Sequence, residues 1–155
     1  MRFRISGLSP TPFLPLYGLS DAALAQRGAR RCVADAHPGF PDRIEMRDAS
    51  VGETLLLVNY LHQPAPTPYR SSHAIFVREG AEHAYGRLDT IPDVVRTRML
   101  SLRAFDGDHM MLDADLIDGG DAETLIARLF ANPDIAYLHA HYARRGCYAG
   151  RIDRI

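Results

Sequence analysis

The sequence predicts an α+β fold: a mainly antiparallel sheet of six to eight strands with two or three helices packed on it. Three observations carry this. Residues 54–58 (TLLLV) and 74–77 (AIFV) are short apolar runs bounded by turn residues, which read as buried strands better than as helices. Residues 99–105 and 109–117 flank Asp106-Gly107-Asp108, a common turn chemistry, and read as a hairpin. Leu125, Ile126, Leu129 and Phe130 form one apolar stripe at helical spacing, the strongest helix in the chain.

Taken in order, residues 2–6 alternate Arg-Phe-Arg-Ile-Ser and form a first strand with Phe3 and Ile5 inward. Three prolines follow. Ser20 is an N-cap for a short helix over 21–27, closed by Gly28. Residues 29–34 are a second strand and His37 to Pro41 a turn. Residues 44–47 read as an edge strand. The run 54–58 is apolar on both faces, so each face should be covered. Residues 83–87 read as a short strand pairing back, and a short helix starts at Pro92, capped by Asp89 or Thr90. Asp121 is the N-cap of the 125–130 helix and Asn132-Pro133 ends it. Residues 135–142 and 147–153 are the last two strands, joined by a turn through Ala143-Arg144-Arg145-Gly146.

The chain reads as a single domain over residues 1–155. A formal net charge of −1 leaves no basic footprint for nucleic acid. All 18 basic residues are arginine, which removes any lysine nucleophile. Cys32 and Cys147 make no disulfide framework and no zinc-type Cys-x-x-Cys pair. No signal-peptide h-region and no membrane-length apolar run is present, so the expected location is the cytoplasm, with no membrane partner.

The segment 59–79 (NYLHQPAPTPYRSSHAIFVRE) is where polar chemistry concentrates. Pro64, Pro66 and Pro68 stiffen a connection over about residues 61–70. A stiff loop loses less entropy on ordering around a ligand. Arg70, Ser71 and Ser72 offer donors for a carboxylate or phosphate. With His73 they would hold the anion, and Tyr60, His62, His139, His141 and, from the C-terminal turn, Arg145 would line the pocket. The first expectation is therefore a small anionic ligand held there.

A second expectation comes from alternation. His139 and His141 share one face of their strand, and Asp113 and Asp115 share one face of theirs. If the two strands lay in one sheet in the same sense, all four side chains would meet. Two histidines at i and i+2 can ligate a metal, with His73 or Asp113 as a third ligand, for a hydrolase or lyase. The same histidines could instead be a general acid and base. Cys147 follows Arg144-Arg145-Gly146; nearby arginines favour the thiolate, and His73, His139 or His141 could serve as its base. A third alternative is a non-catalytic module that forms a homodimer through an edge strand or the C-terminal hairpin. The residues name no cofactor and do not decide whether the protein is an enzyme.

Two blocks, NYLHQPAPTPYRSSHAIFVRE and LHAHYARRGCYAGRIDR, together with the opening FRISGLSPTPFLPLYGLSDAALAQRGARR, resemble an uncharacterised bacterial family, domain of unknown function 1203. The resemblance covers nearly the whole chain. It implies a bacterial single-domain protein and transfers no activity and no catalytic residue.

Overall fold

The computed structural model describes all residues, 1–155. In chain order the elements are β1 (Phe3–Ser6), α1 (Asp21–Gln26), β2 (Arg30–Val33), β3 (Thr54–Gln63), β4 (Ser71–Arg78), β5 (Gly86–Leu88), α2 (Asp93–Arg96), β6 (Met99–Phe105), β7 (Met111–Asp118), α3 (Ala122–Phe130), β8 (Tyr137–Tyr142) and β9 (Tyr148–Arg154). The strands divide into two antiparallel sheets, where the sequence suggested one. Six follow the order β5-β1-β9-β8-β6-β7, and three the order β2-β3-β4. The class is α+β, as expected.

Alternation organises the larger sheet. Leu100, Leu102 and Ala104 of β6 stand opposite Tyr142, Ala140 and Leu138 of β8. These side chains form one apolar face, buried under Leu125, Ile126, Leu129 and Phe130 of α3 and under Val94 and Val95 of α2. That packing, rather than the propensity of short helices, is what holds them. Gly119 precedes α3 because a Cβ there would collide with the Val95 carbonyl oxygen.

The smaller sheet is also covered twice. Leu56, Val58, Ile75 and Val77 pack with Phe13, Leu24 and Tyr148. Leu55 packs on the other side with Ala34 and Ala49. A run apolar on both faces therefore has two covered faces. The α1 cap is as expected, with Ser20 Oγ accepting from Ala23 N at 3.1 Å and Gly28 at φ +69°.

Three expectations are corrected. The segment 44–47 is not a strand. It is a loop wrapped on the buried Asp42 carboxylate, which accepts from the backbone N–H groups of Ile44, Glu45 and Arg78 at 3.2, 2.7 and 2.7 Å. A buried carboxylate needs such donors, and three backbone amides turned toward one side chain leave no ladder to build. The strand expected over 83–87 is β5, and it pairs with β1 rather than folding back. β3 runs on to Gln63, so the proline-rich connection is shorter than expected.

Candidate metal centre

The second face of β8 carries the site. His139 and His141 project from it together, as period-two alternation requires, and the smaller sheet covers them. They are 3 % and 0 % exposed. His62 meets them from β3. Its position in the strand is irregular: Leu61 pairs with Ser72 and Gln63 with Ser71, so His62 is the extra residue of a bulge. A second bulge interrupts the β8–β9 pairing, where Ala140 pairs with Gly150 and His141 with Tyr148. Bulges re-aim side chains, and they gather beside functional sites.

One ligating nitrogen from each of His62, His139 and His141 lies within 4.8 Å of the other two. His62 Nδ1, His139 Nδ1 and His141 Nε2 are buried and have no hydrogen-bond partner. Buried polar atoms are nearly always satisfied, and an orphaned one costs about 1–3 kcal/mol. Three in one place need an explanation. His141 supplies part of it, because its Nδ1 lies 2.9 Å from the Gly146 carbonyl oxygen. That contact puts the proton on Nδ1 and leaves a lone pair on the orphaned Nε2, the arrangement of a metal-ligating histidine with its outer partner.

The electrostatics agree. The imidazoles of His139 and His141 are pushed down to about 3 and that of His62 to about 4, in each case first by burial. Neighbouring positive charge, from Arg103 among others, pushes the same way, and on His141 the Gly146 carbonyl pushes partly back. All three are therefore neutral at pH 7, the form that ligates metals. Around them stand Tyr148, whose ring is parallel to His62 at 5.1 Å between centroids, and His73, whose Nδ1 is 2.8 Å from His62 Nε2. A cavity of about 270 Å³ opens onto His62 and His139 and is also lined by Gln63, His109, Tyr137 and Arg151. In it the Tyr137 hydroxyl accepts from Gln63 Nε2 at 2.9 Å and sits 2.8 Å from His109 Nδ1.

The residues singled out in the sequence divide. His62, His73, His139 and His141 come together. Tyr60 stands one ring away, 6.1 Å from Tyr148. Ser71 and Ser72 begin β4. Arg70 is exposed and donates to the Pro64 carbonyl, closing the proline loop on itself. Arg145 lies exposed in the turn before β9. Cys147 accepts from Arg43 Nη2 at 3.1 Å, and no histidine is hydrogen-bonded to it.

The expected meeting of Asp113 and Asp115 with the histidines does not occur. β6 lies between β7 and β8, and its register sets the faces. Ala104 pairs with both Asp113 and Leu138, whereas Arg103 pairs with Ala114 and His139. Asp113 and Asp115 thus share the helix side of the sheet, where they pair with Arg128 of α3 at 3.2 and 2.9 Å. The same register shows what sequence reasoning missed. Arg103 lies on the histidine face, makes no hydrogen bond or ion pair, and has its guanidinium pushed down by burial. Alternation along residues 99–105 was the signal that could have found it.

No helix is long and apolar enough to cross a membrane. No curated protein and no solved structure matches the chain. A family model does, over residues 39–154, which include every histidine of the cluster, and the chain belongs to that family, described as protein of unknown function (DUF1203).

Proposed function

We propose that this domain binds a divalent transition metal through His62, His139 and His141 and uses it on a small anionic ligand. The observation that carries the reading is that one ligating nitrogen from each of three buried histidines lies within 4.8 Å of the other two, and that each of these rings keeps a buried nitrogen without a partner. Three neutral imidazoles suit zinc, iron, copper or nickel. Three protein ligands with a position left for water or substrate are the arrangement of catalytic rather than structural zinc. A metal so held supplies a Lewis acid or an activated water, the chemistry of hydrolases and lyases. The chain's own groups supply the rest. His73, in contact with His62, is placed to hold or pass a proton. Arg103, without a counter-charge, supports an anionic ligand rather than a cationic one.

The test is elemental analysis of protein purified without tag or chelator. About one metal per chain is expected, lost when His139 and His141 are replaced by leucine. Failure of the wild-type protein to take up zinc, iron, copper, nickel or manganese in calorimetry would sink the reading.

A second reading, a non-catalytic homodimer, is supported by the edge strand β7, where Leu112 and Leu116 are 45 % and 61 % exposed. Sedimentation of a Leu112→Glu, Leu116→Glu variant tests it. An unchanged mass would end that reading.

A further inference from the structure

A cleft of about 840 Å³ lies beside the histidine centre, with His73 in the wall between them. Its lining holds four arginines, Arg43, Arg98, Arg144 and Arg145, and no aspartate or glutamate. Arg98 is already neutralised, since its guanidinium grips the Asp48 carboxylate at 2.6 and 2.9 Å. The other three have no acidic partner. Arg144 and Arg145 stand exposed on the turn before β9 and make no hydrogen bond. Arg43 is the unusual one. It is 1 % exposed, yet it donates only to the carbonyls of Tyr148 at 2.9 Å and Pro41 at 2.6 Å and to Cys147 Sγ at 3.1 Å.

A buried guanidinium without a counter-ion is costly. Its planar fork can serve more acceptors than those three, because it has five N–H groups. The remainder of the lining is mixed: Phe40, Phe76, Leu57 and Met99 give it an apolar side with two aromatic rings, beside His73, Thr97, Tyr142 and Cys147. Two exposed arginines without partners, a buried arginine that lies over the Tyr142 ring but has no carboxylate partner, and two phenylalanine rings in the same lining describe one ligand class. We infer that this cleft binds an organic oxyanion, a carboxylate or phosphate ester carrying a flat apolar group, with Arg144 and Arg145 on the oxyanion and the apolar group against Phe40 and Phe76. Arg43 then sets the potential behind it, and charge-assisted bonds from arginine to such groups are the strong kind. The cleft is a site for an anionic ligand distinct from the metal centre, with His73 between the two, so the inference goes beyond the metal reading and does not rest on it. It also moves that ligand away from Arg70, which is bound to its own loop.

Cys147 makes the cleft testable, because it is in the lining and partly exposed, while Cys32 on β2 lies outside the lining and serves as an internal reference. Iodoacetamide labelling of each cysteine is followed by mass spectrometry with benzoate, phenyl phosphate, inorganic phosphate or benzyl alcohol present. Benzoate or phenyl phosphate should slow Cys147 alone, by about tenfold when the ligand stands at ten times its dissociation constant. Comparing those two separates carboxylate from phosphate as the preferred oxyanion. Inorganic phosphate and benzyl alcohol, each with half of the required chemistry, should protect weakly or not at all. The Arg144→Glu, Arg145→Glu variant should lose the protection, and so should a milder Arg144→Gln, Arg145→Gln pair, both on exposed positions that the fold does not need. Protection should survive EDTA.

No protection in the wild-type protein overturns the inference, as does protection that persists in both arginine variants. Protection lost on EDTA treatment also overturns it, because the anion would then sit on the metal. If the protein takes up no metal but Cys147 is still protected through Arg144 and Arg145, the metal reading has failed and the cleft stands.

Discussion

His73 Nδ1 lies 2.8 Å from His62 Nε2, across the point where β3 and β4 lose register. The ring planes are only 8° apart. His62 therefore has one nitrogen engaged by a partner and the other, Nδ1, buried and free. A ligating histidine is held in the same way, by a partner on its second nitrogen. Replacing His73 with Ala should weaken zinc binding by about 10–100-fold without abolishing it. His141→Ala should abolish it. Competition titration with a chromophoric chelator reads both. Equal losses for the two variants would make His73 a ligand in its own right.

The orphaned nitrogens predict an inversion of stability. In metal-free protein, His139→Leu removes a buried unsatisfied group from an apolar setting, worth about 1–3 kcal/mol. The variant should then be at least as resistant to urea as wild type when EDTA is present. With zinc at 100 times its dissociation constant, wild type gains about 2.7 kcal/mol that the variant lacks. The order of the two urea midpoints should therefore reverse when zinc replaces EDTA. A variant weaker under both conditions would give His139 a packing role instead.

Some of this was legible in the sequence, and the reasons are specific. The stripe from Leu125 to Phe130 and the hairpin around Gly107 depend on local periodicity and turn chemistry, which a single chain displays. His139 and His141 shared a face for the same reason. His62 was visible as a polar residue near a pocket, but its meeting with β8 depends on the packing of a second sheet and on a bulge, neither of which leaves a local signal. Arg43 was hidden for a related reason. Its loop is organised by the Asp42 carboxylate, a contact with the backbone of β4 more than thirty residues away. The aspartates of β7 were misplaced because strand order decides which face of a sheet two separate strands share, and order is a non-local property.

That correction is testable by itself. Asp113 and Asp115 are bound to Arg128 on the helix side of the sheet, half exposed. Asp113→Asn should leave metal content and zinc affinity unchanged and alter stability by less than about 1 kcal/mol, the scale of an exposed ion pair. Loss of metal in this variant would contradict the register of β6 between β7 and β8.

The last expectation concerns pH. In the metal-free fold His139 and His141 are pushed down to about 3 and His62 to about 4, from an ordinary value of 6.5, chiefly by burial. The unfolded chain therefore binds more protons than the folded one across that interval, so stability rises with pH there. The contribution of the three rings is fully present above about 6.5 and is lost progressively as pH falls from there toward 3. Each ring accounts for at most about 1.4 kcal/mol per pH unit. Because the rings adjoin, they should titrate as a coupled group rather than singly. Urea unfolding in EDTA at a series of pH values measures the slope. In a His62→Leu, His139→Leu, His141→Leu variant the slope between pH 6.5 and 4 should flatten relative to wild type. An identical slope in the two proteins would mean that the acid sensitivity lies elsewhere and that these imidazoles are more hydrated than their burial implies.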